Sequence, residues 1–233
     1  MVMAAGHGTR MRPLTNDRSK AMVEVAGRPL IDHMLARLAD AGVRRVVVNV
    51  HAHADHLEAH LKSRTSGPEI IISDERDELL ETGGGVVKAL HLLGRNPILI
   101  CNIDAIWWPF APVLEHLMGH WNPQVMDELL LCARADWSLG YSGVGDFDVL
   151  AGGRLMRRQG DTARHIYAGV QIFKPALAQS FRLEPFSRNK IWDATLKRLR
   201  LFGVELPGYW MHVGDPRALV AAQAVLEQAA NGA

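Results

Sequence analysis

The sequence predicts an α/β fold, a Rossmann-like, mostly parallel sheet with helices on both faces and a small β-rich region in the second half. Three observations carry that expectation. Apolar strands and amphipathic helices alternate through residues 1–105, the pattern of a sheet wrapped by crossover helices. The glycine-rich segment Gly6-His7-Gly8 follows the first strand directly. The runs Val46-Val47-Val48-Asn49-Val50 and Ile98-Leu99-Ile100-Cys101 are almost continuously apolar, as strands buried on both faces are.

Met1 to Ala4 reads as the first strand. Pro29 then opens a helix at the position proline tolerates best. Leu30, Met34, Leu35 and Leu38 recur at helical spacing up to a stop at Gly42. A polar helix near Asp55 to Lys62 and a strand at Ile70 to Ser73 follow. Gly83-Gly84-Gly85 leads into a helix through Val86, Val87, Leu90 and Leu93, closed by Gly94. Beyond Asn102-Ile103-Asp104 the pattern loosens. Leu129 to Ala133 reads as a strand, and Asp146 to Leu150 with Arg154 to Arg158 as a hairpin across Gly152-Gly153. Tyr167 to Phe173 is a strand stopped at Pro175, and a helix is expected near Trp192 to Leu201. Short strands at Val204 to Leu206 and Trp210 to Val213 precede a closing helix from Pro216 to Ala230.

The 233 residues suit a single domain with a sizeable core. Hydrophobic residues at 48% and charged residues at 22% are an ordinary globular balance. A formal net charge of +1 gives no basic footprint for nucleic acid, so any anionic ligand must be held by local groups. Cys101 and Cys132 each sit in an apolar run and read as buried free thiols of a reducing compartment. No run approaches the roughly 20 apolar residues of a membrane span, and no basic segment precedes an apolar one at the start. A cytoplasmic protein without a membrane partner is expected. Because the chain opens directly on a strand, a residue or two is expected upstream of Met1.

The segment Gly6-His7-Gly8-Thr9-Arg10 can bring backbone amides close to a ligand, and successive N–H groups in such a turn form a nest for phosphate oxygens. It is not the dinucleotide fingerprint, because Arg10 stands near the third-glycine position and Pro13 breaks the pattern. Lys20 follows ten residues after Arg10. A bidentate guanidinium and a compact ammonium beside a phosphate nest suit a triphosphate.

The segment Ala4-Ala5-Gly6-His7-Gly8-Thr9-Arg10-Met11-Arg12-Pro13-Leu14-Thr15, followed by Lys20 and by Val25-Ala26-Gly27-Arg28-Pro29-Leu30-Ile31, resembles the sugar-phosphate nucleotidylyltransferases. One departure is Ala21, where that family usually has proline. The resemblance implies the nucleotide-diphospho-sugar transferase type of fold. Residues 1–233 would form one domain, with a nucleotide-binding half at 1–105 and an acceptor-sugar half at 106–233. Ala4, Ala5, Gly6, His7, Gly8 and Thr9 would bind the nucleotide, with Arg10 and Lys20 as catalytic residues.

Glu81-Thr82-Gly83-Gly84-Gly85 offers a carboxylate, a hydroxyl and flat backbone beside a helix start; Thr82 as a helix cap is the plain alternative. The segment resembles the family's nucleobase loop, with Glu81, Thr82, Gly83 and Gly84 binding the base or ribose. Its form looks most like the bacterial uridylyltransferases that act on N-acetylmuramate 1-phosphate.

Asp104 ends a central strand, where open α/β sheets bind ligands, and is expected to hold Mg²⁺ together with substrate phosphates; a helix-capping aspartate is the alternative. The family's second metal carboxylate falls in a pattern matched here by Trp210-Met211-His212-Val213-Gly214-Asp215, so His212 stands where aspartate is usual. Imidazole is a poor Mg²⁺ ligand. Either the metal keeps an extra water, or His212 acts through water or directly, or Asp215 or Asp193 supplies the missing carboxylate; a buried, hydrogen-bonded histidine is the plain alternative. Gly145, Asp146, Asn189 and Trp192 are candidates for the acceptor sugar, against surface-loop or core roles. The Glu-Lys-Pro motif of the hexose-1-phosphate thymidylyltransferases is absent.

The implied reaction joins UTP and N-acetylmuramate 1-phosphate into a UDP-sugar with release of pyrophosphate, a step in peptidoglycan and cell-wall recycling. A mannose-1-phosphate guanylyltransferase and a catalytically silent nucleotide-sugar sensor remain as alternatives.

Overall fold

Val2 and Met3 pair in parallel with Val48 and Asn49 on one side and with Cys101 and Asn102 on the other, so the opening residues lie at the centre of a sheet. The computed structural model describes residues 1–231. The strands of the first half are β1 (Val2–Met3), β2 (Glu24–Val25), β3 (Arg28–Pro29), β4 (Arg45–Val50), β5 (Glu69–Asp74), β6 (Ile98–Asn102) and β7 (Ala105–Pro109). Those of the second half are β8 (Glu128–Arg134), β9 (Ser138–Leu139), β10 (Phe147–Val149), β11 (Leu155–Arg157), β12 (His165–Phe173), β13 (Leu201–Glu205) and β14 (Gly208–His212). The helices are α1 (Leu30–Asp40), α2 (Ala54–Lys62), α3 (Glu81–Leu93), α4 (Val113–Gly119), α5 (Asn189–Lys197) and α6 (Pro216–Asn231).

The main sheet has nine strands, with β11-β10-β12-β6-β1-β4-β5 as its path and β8 and β13 joined alongside β12. From β6 to β5 all pairings are parallel, as the alternation of strand and helix predicts. The β-rich second half enters through β12, antiparallel to both β6 and β8. Its register shifts between Tyr167 and Gln171, where Gly169 has φ of +85°. A Cβ on Gly169 would lie 2.6 Å from that of Ala105, so only glycine allows this close approach to the start of β7.

The faces follow from the two-residue period of strands. Val46, Val48 and Val50 join Ile31, Leu35 and Leu57 of α1 and α2 in one core. Val47 and Ile100 face the other way, toward Val86 and Ala89 of α3 and Ile191 of α5. No helix among the described residues is long and apolar enough to cross a membrane.

The elements β7 and α4, and the two-residue strands β2, β3 and β9, lie where the sequence reading leaves a gap. The helix expected at Trp192 to Leu201 starts earlier and stops at Lys197, because Leu199 turns the chain at φ of +57° and Leu201 pairs with Glu128 of β8. A second, three-stranded sheet orders β7-β14-β9. Its antiparallel register sets His212 opposite Ala105, and Val213 N–H donates to the Asp104 carbonyl at 2.9 Å.

Beneath α5 the sheet carries a buried polar network. Glu128 accepts hydrogen bonds from Thr195 Oγ1 and Gln171 Nε2, both at 2.8 Å, and Gln171 Oε1 accepts from Trp192 Nε1 at 3.2 Å. Burial pushes the Glu128 carboxyl up to about 7, against the opposing pull of the Thr195 hydrogen bond and the Arg188 charge. A carboxyl raised in the folded state binds more protons there than in the unfolded chain, so its stability contribution falls as pH rises toward the folded value and levels off above it. Wild type is therefore expected to lose about 2 kcal/mol from this group between pH 5 and pH 8. Glu128→Gln can accept from Gln171 Nε2 and donate to Thr195 Oγ1, whose hydroxyl then donates to the Ile191 carbonyl, and is expected to flatten that dependence in urea unfolding at the two pH values. An unchanged slope would show that Glu128 stays ionised in the fold.

Candidate functional site

A cavity of about 570 Å³ opens at the carboxyl ends of β1 and β6, lined by residues 3–10, Lys20, Asn49, Leu79, Glu81, Thr82, residues 102–104, Ser187 and Gly214. Ligands of open α/β sheets bind in this position. The cavity brings together Ala4, Ala5, Gly6, His7, Gly8, Thr9, Arg10, Lys20, Glu81, Thr82 and Asp104 of the residues singled out in the sequence.

The loop after β1 is held from beneath. Ala4 N–H donates to Asn49 Oδ1 at 2.7 Å, and Asn49 Nδ2 donates to Glu75 Oε1 at 2.8 Å. Glu75 Oε2 accepts from Leu80 N–H at 3.3 Å, so one carboxylate ties the glycine loop to the start of α3. Burial raises the Glu75 pKa, partly opposed by these hydrogen bonds. Sequence reasoning missed both residues. The available signal was Asn49 itself, a lone amide in a run of valines, since buried polar groups need partners.

Gly8 has φ of +62°, and a Cβ there would lie 2.9 Å from that of Lys20. Its carbonyl accepts from Met11 N–H at 2.8 Å and from Thr15 Oγ1 at 2.9 Å, closing a short 3-10 turn at Thr9–Met11. Gly6 differs, because a Cβ there would meet no protein atom within 4 Å and would project into open space. Ala21 N–H donates to Ser19 Oγ at 3.3 Å, a bond that the proline usual in the resembling family could not make.

Lys20 Nζ lies 2.8 Å from Asp104 Oδ2, and His212 Nε2 lies 3.3 Å from the same oxygen. Burial alone would raise the Asp104 pKa. The Lys20 charge and the His212 contact outweigh it and hold the carboxyl well below the usual range. The other oxygen, Oδ1, has no hydrogen-bond partner among the described residues. The His212 ring stacks on Trp210, with centroids 5.7 Å apart and an interplanar angle of 3°.

The triple glycine is placed differently from the sequence expectation. The helix α3 begins at Glu81, so the glycines lie inside its first turns instead of leading into it. A Cβ on Gly83 would lie 2.3 Å from the Phe186 ring, and one on Gly84 would lie 2.2 Å from the Glu184 carbonyl. Gly85 in turn makes room for Glu75 Oε1, 2.7 Å from where its Cβ would be. Gly83 and Gly84 thus receive the 184–186 segment and do not line the cavity; Glu81 and Thr82 do. Thr82 does not cap α3, because its Oγ1 accepts from Arg188 N–H at 2.9 Å.

The remaining candidates lie elsewhere. Trp192 is 6% exposed and packs on Tyr167 and Phe147, so it offers no open ring face to a sugar. Gly145 sits against the Ala163 carbonyl, where a Cβ would approach to 2.1 Å, and Asp146 Oδ2 accepts from Tyr167 N–H at 3.0 Å. Both brace the entry of β12 and stand outside the cavity lining. Asn189 and Asp193 bind the Arg157 guanidinium at 2.9 and 2.8 Å. Asp215 Oδ1 accepts from Ala218 N–H at 2.9 Å and caps α6. Neither Asp193 nor Asp215 therefore completes a carboxylate pair with Asp104, and among the described residues no group of three or more His, Cys, Asp or Glu side chains could hold a metal ion.

A family model described as nucleotidyl transferase matches residues 1–122. The N-acetylmuramate alpha-1-phosphate uridylyltransferase of Caulobacter vibrioides is 48% identical over 98% of this chain and 97% of its own length. The mannose-1-phosphate guanylyltransferase catalytic subunit beta of Drosophila pseudoobscura pseudoobscura is 30% identical over 93% of this chain but only 59% of its own length. Among solved structures, a UDP-glucose pyrophosphorylase from Acinetobacter baumanii superposes with a TM-score of 0.79 at 14% identity, covering 99% of this chain and 98% of that one.

The two loop glycines are expected to respond differently to a methyl group. Gly8→Ala must hold alanine at positive φ against Lys20 and is expected to lose about 1–2 kcal/mol of stability. Gly6→Ala is expected to unfold at the wild-type temperature in calorimetry. Equal shifts for the two variants would overturn the assignment of Gly8 as the strained position.

Proposed function

This chain belongs to the nucleotidyl transferase family, and from that premise we propose that it transfers a uridylyl group from UTP to N-acetylmuramate 1-phosphate. The observation that carries the reading is the convergence on one cavity of the glycine loop, Arg10, Lys20, Asp104 and the Glu81-Thr82 edge. The near-full-length identity to the Caulobacter uridylyltransferase favours uridylyl transfer over guanylyl transfer, since the guanylyltransferase relative is matched over 59% of its length.

The reaction is a single in-line displacement. An oxygen of the sugar phosphate forms a bond to the α-phosphorus of UTP, the bond from that phosphorus to the β-phosphate breaks, and pyrophosphate leaves with the electron pair. The attacking oxygen is already anionic, so no general base is required. What the protein supplies is position and opposite charge. The amides of residues 6–9 cradle the triphosphate, and Arg10 neutralises the leaving β- and γ-phosphates. Lys20 draws the α-phosphate and the incoming sugar phosphate together. Glu81 and Thr82 face the nucleoside. Residues 1–105 supply most of this lining, while Ser187 and Gly214 enter from the acceptor half.

A divalent cation, Mg²⁺, fits as a partner of Asp104, whose Oδ1 is free of hydrogen bonds and whose carboxylate is held ionised. When bound it supplies further charge neutralisation to the phosphates. The reading places the protein in the cytoplasm, where UTP is made, as a step in the reuse of peptidoglycan sugars.

Pyrophosphate release from each of the four nucleoside triphosphates, run against a panel of sugar 1-phosphates, tests the reading. UTP with N-acetylmuramate 1-phosphate is expected to be the best pair; preference for GTP with mannose 1-phosphate would replace it with guanylyl transfer, and no turnover would leave a binding protein. In the same assay, Lys20→Ala is expected to lower kcat/KM about a hundredfold through lost charge stabilisation. Near-normal turnover in that variant would remove Lys20 from the chemistry.

A further inference from the structure

We infer that the His7 imidazole is a proton-dependent phosphate contact of this cavity. It takes up a proton as the triphosphate binds, and the added charge holds the nucleotide more tightly at mildly acid pH. This rests on the nucleotidyl-transfer reading above and goes beyond it in how the site responds to pH. The first observation is the balance of charge. The lining of the cavity holds two cations, Arg10 and Lys20, and two carboxylates, Glu81 and Asp104. Lys20 is already committed to Asp104 at 2.8 Å. Without His7 the lining is therefore neutral, and the net charge of +1 on the whole chain gives no general field for a polyanion. A triphosphate stays anionic even with one divalent cation bound. Among the described residues, His7 is the one further lining side chain that can acquire positive charge.

The second observation is placement. His7 stands between Gly6 and Gly8, in the middle of the loop whose amides form the phosphate nest. It is exposed, and its ring nitrogens make no hydrogen bond among the described residues. Its ring meets that of His51 nearly at right angles, with centroids 5.1 Å apart and an interplanar angle of 80°. His51 is the fixed member of the pair. Its Nδ1 lies 2.7 Å from the Glu75 carbonyl, which can only accept, so Nδ1 carries the hydrogen. The Glu75 carboxylate faces away, toward Asn49 and Leu80. Ala52 N–H donates to the Ala5 carbonyl at 3.4 Å and ties the segment carrying His51 to the loop carrying His7. The His7 ring is thus braced by its neighbour while it faces the cavity. A ring steadied in this way loses less freedom when a phosphate arrives.

The chemistry of imidazole supplies the rest. Histidine is the side chain whose ordinary charge change falls between about pH 5 and pH 8. Arginine, lysine, glutamate and aspartate, the other charged types in the lining, ordinarily titrate outside that span. An anion beside an imidazole favours its charged form, so protonation and phosphate binding reinforce each other. An imidazolium N–H to a phosphate oxygen is a charge-assisted hydrogen bond. The sign follows: this share of the affinity is complete at low pH and is lost as pH rises and the proton leaves.

Titration calorimetry with UTP and saturating Mg²⁺, run in buffers of different ionisation heat, reads the proton uptake directly. At about pH 7 wild type is expected to take up roughly half a proton more than His7→Gln. Comparing the two proteins cancels the protons of the nucleotide itself. Wild type is expected to bind UTP about tenfold more tightly than His7→Gln near pH 6 and about equally near pH 8.5. His7→Lys, charged throughout this range, is expected to bind tightly at both pH values without the extra uptake. His51→Gln can still donate to the Glu75 carbonyl and is expected to keep the uptake. Equal uptake in wild type and His7→Gln, or an affinity ratio that does not change with pH, would overturn the inference. Uptake lost in His51→Gln but intact in His7→Gln would also overturn it, by moving the titrating group to His51. Failure of UTP to bind any of the four proteins would overturn the nucleotidyl-transfer reading, and this inference with it.

Discussion

One ion pair joins the two ends of the cavity. Lys20 leaves a short turn after the glycine loop, Asp104 stands in the turn between the sixth and seventh strands, and 84 residues separate them in sequence. Each charge is largely withdrawn from water, the Lys20 side chain to 11% exposure and that of Asp104 to 21%. A carboxylate so placed must be paired, and breaking a buried pair costs far more than forming it gains. The position of Gly8 follows from this pairing, because its missing Cβ is what lets the Lys20 stem pass. The second sheet follows too, since β14 registers on β7 so that His212 becomes the other neighbour of the same carboxylate oxygen.

The legible part of this arrangement was local. The glycine loop, Arg10, Lys20 and Asp104 each announce a chemistry within a few residues, and the strand–helix alternation through Asp104 gives the parallel sheet its order. What the sequence hid depends on partners distant in the chain. Asn49 and Glu75 look like a polar interruption and a loop acid, yet together they hold Ala4 and Leu80 in place. Trp192 stays ambiguous in the sequence because an aromatic beside polar residues suits a sugar face and a core equally well. Only the packing of α5 shows that Ile191, Trp192 and Thr195 form its inner side. The bend of β12 at Gly169 is likewise invisible until Ala105 is found beneath it.

The two halves of the chain therefore divide the labour unevenly. The first contributes nearly all groups that can meet phosphate, and the second shapes and stiffens the rim. Thr82 is the junction. Its hydroxyl accepts the Arg188 amide, while Gly83 N–H donates to the Phe186 carbonyl at 2.8 Å. The Glu81-Thr82 edge of the cavity is thus set by a loop more than a hundred residues downstream.

Gly83-Gly84-Gly85 also bears on how the chain reaches this state. Each glycine inside a helix costs about 1 kcal/mol relative to alanine, so the first turns of α3 are intrinsically weak. They persist because the Phe186 ring, the Glu184 carbonyl and the Glu75 carboxylate fill the three spaces where side chains would stand. Two of those neighbours, Glu184 and Phe186, come from about a hundred residues downstream. During synthesis the amino-terminal half emerges before residues 184–186 exist to dock on it. The start of α3 gains two of its three supports only after residues 184–186 leave the ribosome. A cavity whose lining comes mainly from residues 3–104 is in this way completed only once residues 184–186 have been made.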